Sequence, residues 1–166
     1  MKLAINLLLL ALTLGCQSSQ KRITQLYGGP EAITTLRTPD KVEAWRTTAS
    51  FAVKEGTETK GRLADYVILN GPVPVADEVG AEMADILQRD IYEWNMAKSC
   101  KPTPGVAVRY SHGENQLLIF FCFERDILLI YFNGKSVGGE DFDRAHNVLA
   151  DLARKIFPKD PALKKI

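Results

Sequence analysis

Residues 106–132, VAVRYSHGENQLLIFFCFERDILLIYF, decide the fold class, because they contain three apolar segments that two short polar turns separate. The apolar segments cover residues 106–110, 117–123 and 127–132. Turns of this length join antiparallel strands, since a parallel pair needs a crossover of a dozen or more residues. The stretch therefore predicts a three-stranded antiparallel meander.

The middle segment, residues 117–123, is apolar without alternation. This pattern is typical of a central strand that is covered on both faces. Two earlier segments, 41–53 and 63–70, are rich in β-branched, aromatic and alternating apolar residues, and they predict two further strands. Together with the meander, these segments make a sheet of about five strands.

Three helices are predicted around this sheet. Residues 75–94 and 141–157 carry apolar side chains at three- and four-residue spacing, which indicates amphipathic helices. Residues 30–36 begin with a proline, which suits the first turn of a short helix. The sequence thus predicts an α+β domain, in which a short N-terminal helix, a central amphipathic helix and a C-terminal helix pack on an antiparallel sheet.

The N-terminus has the organisation of an export signal. A lysine at position 2 precedes an apolar run of 12 residues, 3–14, which is too short to span ~30 Å of hydrocarbon and has the length of a signal-peptide core. The run ends in Leu14-Gly15-Cys16, which resembles the processing site of bacterial lipoproteins. We therefore expect a signal peptide over 1–15 and a lipid-modified Cys16; the alternative is a plain secretory signal with an incidental cysteine.

The lipoprotein resemblance implies a location and a domain organisation. In lipoproteins the cysteine carries several acyl chains, which make a stable membrane anchor. The resemblance implies that an aspartate directly after the cysteine would retain the protein in the inner membrane. This chain has Gln17 at that position, so the outer membrane facing the periplasm is favoured over the inner membrane. We expect residues 16–24 to be a lipidated polar tether and residues 25–166 to be a single globular domain.

Two cysteines, Cys100 and Cys122, are left once Cys16 is assigned to the lipid. Exported compartments are oxidising, so the pair predicts one disulfide bond. Two buried free thiols are the alternative. On the loop-entropy account, closing such a loop stabilises the fold by about 3 kcal/mol.

The residues around these cysteines resemble an uncharacterised family of exported bacterial proteins. The similarity rests on Cys100-Lys101-Pro102-Thr103-Pro104-Gly105-Val106 and, after a polar hairpin, on Cys122-Phe123-Glu124. It covers residues 100–132, about a fifth of the chain. Members often carry another cysteine three places after the second one, where this chain has Arg125. The resemblance implies a braced domain and no particular activity.

Several chemistries are not indicated. A formal net charge of +1 lacks the basic excess of a nucleic-acid binder. Gly134-Lys135-Ser136 is not a phosphate loop, because Leu129 stands where the motif needs a glycine. Glu140 and Asp141 are expected to cap the last helix. The two histidines, His112 and His146, lie outside any metal-binding motif, so we expect neither a metal nor a cofactor.

Two classes of function remain open, together with a less favoured third. The first is a non-enzymatic envelope module, bound to the membrane through Cys16, that binds another envelope protein. Its candidate interaction surface comprises Pro102, Pro104, Glu124, Arg125 and Asp126. The second is a small envelope hydrolase whose site is built from scattered Asp, Glu and His residues, and a cleft that gathers a histidine with carboxylates would favour it. A thiol-redox protein would need exposed, low-pKa cysteines.

Overall fold

A computed structural model of the chain describes residues 19–95 and 98–166. The signal peptide expected over residues 1–15 and the lipidated Cys16 lie outside the described residues. Within the described part the fold is α+β, with four helices and a seven-stranded antiparallel sheet. No helix in this part of the chain is long and apolar enough to cross a membrane.

The strands follow the order β2-β3-β1-β4-β5-β6-β7 across the sheet, and every neighbouring pair is antiparallel. The predicted meander is confirmed as β4, β5 and β6. The bounds of the strands are β1 Lys41–Thr48, β2 Arg62–Leu63, β3 Tyr66–Pro74, β4 Val106–His112, β5 Asn115–Cys122, β6 Ile127–Phe132 and β7 Lys135–Asp141.

All four helices pack against one face of the sheet, which we call the helix face. In the described part α1 covers residues 19–26, and it is followed by α2 Pro30–Arg37, α3 Asp77–Leu87 and α4 His146–Ile156. Their apolar side chains form one large core with the inward residues of the strands, among them Val108 on β4 and Phe121 on β5. This core gives the domain most of its buried apolar area.

The opposite face of the sheet, which we call the concave face, has a much smaller core. Its buried residues are Trp45, Ile68, Ala107, Leu118 and Phe120, all from strands. Tyr66 on β3 packs against Phe120 on β5, with ring centroids 4.7 Å apart. Since β1 and β4 lie between β3 and β5, this contact requires the sheet to curl around the small core. The expectation that the central strand is covered on both faces is confirmed.

The sheet has seven strands rather than about five, because β2 and β7 were not predicted. The glycines of Val137-Gly138-Gly139 belong to β7, and the last helix begins at His146 rather than at residue 141. Gly138 permits this packing, since a Cβ there would lie 2.3 Å from the backbone oxygen of Leu26. The central helix also ends earlier than expected, at Leu87 rather than at residue 94.

The expected tether over residues 16–24 is wrong for residues 19–24. These residues belong to helix α1, and Ile23 is only 1% exposed because it packs into the core of the helix face. The polar composition of this segment is typical of a linker, but Ile23 packs together with Leu26 and Tyr27 in the core and so docks the helix. The folded domain therefore begins by residue 19.

Candidate functional site

A surface cleft lies where β6 begins and β7 ends, beside the segment 98–102 that approaches β4. Its volume is about 390 Å³. The apolar lining residues are Ile127 and Leu129 of β6 and Pro102, and Leu129 also packs against the small core of the concave face. The remaining lining residues are Lys98, Cys100, Gly139, Glu140 and Asp141. The cleft thus continues the concave face, and we call its charged lining residues the rim.

Lys98 is the centre of the polar contacts at this rim. Its Nζ lies 2.6 Å from Asp141 Oδ2 and 2.9 Å from Asp143 Oδ2, and it donates to the backbone oxygen of Arg125 at 2.6 Å. These contacts join the end of β7, the start of the last helical segment and the β5–β6 turn. Lys98 therefore fixes the relative positions of three loops around the cleft.

The two aspartates bound by Lys98 have opposite pKa shifts. Burial raises the pKa of Asp141, and a hydrogen bond with Asp143 raises it further against the effect of Lys98. The same hydrogen bond lowers the pKa of Asp143 to about 2, with help from Lys98 and Asp126. Burial alone would lower the pKa of Lys98, but its ion pairs with both aspartates outweigh burial and raise it. Lys98 is therefore held charged and engaged, which does not suit a nucleophile.

A carboxylate–imidazole pair lies next to this group. His146 Nδ1, at the start of α4, bonds to Asp126 Oδ1 in the β5–β6 turn, and the imidazole packs edge-on against Phe123 with centroids 5.9 Å apart. Asp126 has a φ of +53°, in the left-handed region that aspartate, like asparagine, adopts more often than most non-glycine residues. Both side chains are mostly buried, at 27% and 19% exposed. His146 and Asp126 are not among the residues that line the cleft.

The two cysteines, Cys100 and Cys122, are free thiols in the structure. Cys100 is half-buried and lines the cleft, whereas Cys122 is buried at the end of β5. Burial raises the pKa of Cys122, and the neighbouring Glu124 and Cys100 add to the increase. Neither flanking residues nor burial activates the Cys122 thiol. The predicted disulfide between Cys100 and Cys122 stays a prediction for the oxidised protein.

The structure brings most of the candidate interaction residues to this region but assigns them different roles. Pro102 lines the cleft, and Glu124 and Arg125 are exposed in the neighbouring turn. The Asp126 carboxylate is hydrogen-bonded to His146 within the domain. Pro104 is buried, and its backbone oxygen accepts a hydrogen bond from Thr47 Oγ1 at 2.8 Å. Pro104 is therefore removed from the candidate surface, because it connects β4 to β1.

Sequence reasoning missed the acidic pair at the rim. Asp141 was expected to cap a helix, but it is 4% exposed at the end of β7 and bound by Lys98. Asp141 and Asp143 are two residues apart, at the end of β7 and at the start of the following helical turn, and the sequence does not show that both reach Lys98. His112 lies far from this group in the β4–β5 hairpin, 3.7 Å from Asp40.

Among residues 19–95 and 98–166, no group of three or more His, Cys, Asp or Glu side chains could hold a metal ion. Comparison with protein-family models, curated proteins and solved structures finds no match. The site is therefore interpreted from its own geometry.

Proposed function

We propose that this protein is a membrane-anchored envelope lipoprotein whose domain binds a segment of another envelope protein without catalysing a reaction. Lipid on Cys16 would hold it in the membrane, with the outer membrane facing the periplasm as the favoured site. The binding region would comprise the cleft and the exposed turn of Glu124 and Arg125.

The observation that carries the binding role is the composition of the cleft. A cleft lined by the apolar Pro102, Ile127 and Leu129 together with the charged Lys98 and Glu140 suits recognition of a side chain or a short peptide segment. The proline-containing segment and the ion pairs of Lys98 hold this surface in one conformation. A pre-organised surface loses less entropy on binding, which suits recognition.

The anchor is tested by phase separation in detergent. The Cys16→Ser variant should move from the detergent phase to the aqueous phase, because it cannot carry the acyl chains. Mass spectrometry of the wild-type N-terminus should show an acylated cysteine at position 16. A wild-type protein that is already aqueous, with an unmodified N-terminus, would contradict the anchor.

The binding site is tested by photo-cross-linking in the native envelope. A photoreactive residue at position 102 should give a discrete adduct, whereas the same residue at the exposed position 55 should give none. The double variant Glu124→Ala/Arg125→Ala should weaken the adduct at position 102 and leave the thermal midpoint nearly unchanged, since both side chains are exposed. Equal labelling at both positions would argue against the cleft as the binding site.

A small envelope hydrolase is the second candidate, and the Asp126–His146 pair is the observation that favours it. A carboxylate that orients an imidazole through Nδ1 leaves Nε2 for proton transfer. If hydrolysis of an envelope substrate is found, it should disappear in a folded His146→Ala variant and persist in His112→Ala. That result would replace the binding module with an enzyme.

A further inference from the structure

A second surface, distant in sequence from the cleft, lies beside the point where the described chain begins. Ser19 is in helix α1, and its Oγ donates a hydrogen bond of 2.6 Å to Asp90 Oδ2. Asp90 Oδ1 accepts a second hydrogen bond from Trp94 Nε1 at 2.7 Å. The indole of Trp94 is therefore held close to the N-terminal end of the domain and is only partly covered by the core.

Two arginines lie on the same surface. The Arg22 guanidinium lies over the Trp94 ring, 4.3 Å from its centroid. Arg144 Nε donates to Glu93 Oε1 at 2.7 Å, and its side chain is 59% exposed. The four residues line one shallow surface depression of about 330 Å³ together with Asp90. We call the set Arg22, Asp90, Glu93, Trp94 and Arg144 the basal patch.

The short chain between Cys16 and Ser19 determines what this patch can face. Three residues span at most about 10 Å when fully extended. The polar headgroup region of one leaflet is roughly 5–8 Å thick. Acyl chains on Cys16 would therefore bring Ser19, and the patch next to it, to the level of the headgroups.

We propose that the basal patch lies against the lipid headgroups and sets the orientation of the domain on the membrane, an inference that rests on the proposed anchor at Cys16. The chemistry of the patch fits this surface. Tryptophan side chains accumulate at membrane–water interfaces, because the ring is apolar and its N–H is polar. Arginine binds lipid phosphates through its N–H donors, and of the five on Arg144 the contact with Glu93 uses two. The carboxylates of Asp90 and Glu93 are already occupied by Trp94, Ser19 and Arg144, so repulsion from phosphate is reduced.

The two tryptophans of the chain provide the test, since Trp45 lies in the small core of the concave face and is only 4% exposed. The full-length lipidated protein is reconstituted in vesicles of phosphatidylethanolamine and phosphatidylglycerol that contain a lipid with a headgroup quencher. In the Trp45→Phe variant we expect about a twofold loss of Trp94 emission, as for a ring at headgroup depth. In the Trp94→Phe variant, the emission of Trp45 should not change.

The arginines are tested in the same vesicles. The Arg22→Ala/Arg144→Ala double variant, made in the Trp45→Phe background, should lose most of the quenching, and so should the unmodified patch at high salt. Arg62→Ala is the matched control, because Arg62 lies on the edge strand β2, whereas Glu93 of the patch donates its backbone N–H to Asp141 at the end of the other edge strand, β7. The control variant should leave the quenching unchanged.

Flotation of the vesicles separates the two proposals. If the protein floats with the vesicles but Trp94 emission is unaffected by the quencher, the anchor stands and the basal patch is overturned. If the protein does not float, both proposals are overturned.

Discussion

The two faces of the sheet differ in how completely they are covered. Four helices close the helix face, and its core extends from Ile23 in α1 to Leu163 near the C-terminus. The concave face has five buried residues, and its outer side chains, such as Tyr66 and Leu129, remain partly exposed. We infer from this difference that one face provides the stability of the domain, whereas the other keeps an accessible apolar surface that leads into the cleft.

The polar groups on the two faces of the sheet also differ in how completely they are buried. On the helix face, the hydroxyl groups of Tyr27 and Tyr92 bond to each other at 2.9 Å inside the core, where burial raises the pKa of Tyr27 well above its ordinary value. On the concave face, the Tyr131 hydroxyl donates to Asp65 at 2.9 Å near solvent. Loss of a partner should therefore be costly on the helix face and mild on the concave face.

The largest expected effect comes from neighbouring phenylalanines that point to opposite faces. Phe121→Ala should lower the free energy of unfolding by about 3–5 kcal/mol, because Phe121 is surrounded by Phe123 and Phe142 and the cavity cannot collapse. Phe120→Ala should cost about half as much, since partly exposed Tyr66 and Tyr131 can move into the space. Urea denaturation measures both values, and an equal or reversed order would contradict the comparison.

The disulfide is the next largest effect, and it would support the more weakly covered face. Thiol titration of the unfolded, unreduced mature protein should detect no free thiol at Cys100 or Cys122. Under oxidising conditions Cys100→Ser should lower the free energy of unfolding by about 2–5 kcal/mol. After reduction, wild type and variant should become similar, because Cys100 is only half-buried. Two titratable thiols in the oxidised protein would show that the bond is not formed.

Because of an ion pair on the helix face, we expect the stability of the folded state to depend on pH. Arg46, which pairs with Val106 in the sheet, donates from Nε to Asp160 Oδ2 at 2.7 Å. Burial alone would raise the pKa of Asp160, but the hydrogen bond and charge of Arg46 outweigh it and lower the pKa from its ordinary value. The carboxylate therefore stabilises the folded state above its unfolded pKa, and this contribution is lost as the pH falls through the lower folded pKa.

The Asp160→Asn variant tests this sign. It should lose about 1–3 kcal/mol at neutral pH, and the difference from wild type should shrink as the pH falls below about 4. Asp151→Asn is the control, because the Asp151 side chain is 65% exposed in its contact with Arg154. A difference that grows at acidic pH would contradict the assignment.

The smallest effect is expected for the hydroxyl group on the concave face. Tyr131→Phe should cost about 0.5–1.5 kcal/mol, since Asp65 can bind water instead. Tyr27→Phe should cost more, because the buried Tyr92 hydroxyl, which donates to the backbone oxygen of Leu87, loses the hydrogen bond that it accepts from Tyr27. Thermal denaturation of the two variants gives the comparison, and equal losses would indicate that the concave face is as closed as the helix face.

The core strands could be predicted because their pattern is local. The run 117–123 is apolar on both sides of the chain, so its burial on both faces follows from the sequence itself. Strand β7 could not be predicted, since Gly138 and Gly139 lower strand propensity, and only the tertiary structure shows that Leu26 packs closely on Gly138. The helical state of residues 19–24 was missed for a similar reason, as Ile23 needs a core to dock against.

Some residues of the candidate site could likewise be predicted from the sequence, and others could not. The cysteines and Pro102, Glu124 and Arg125 were found from their residue types and their turns. Lys98, Asp141 and Asp143 were not, because no spacing in the sequence shows that residue 98 reaches the end of β7. The burial of Pro104 and the use of Asp126 by His146 likewise depend on contacts between distant segments.

The sequence by itself determined the α+β class, the antiparallel meander and the candidate cysteines, because periodicity, turn length and residue type act over a few neighbouring positions. The curl of the sheet, the cleft beside Leu129, the ion pairs of Lys98 and the surface around Trp94 are visible only in the tertiary structure. These features join residues that are tens of positions apart, and the free energy that holds them together comes from packing and charge pairing in the folded chain.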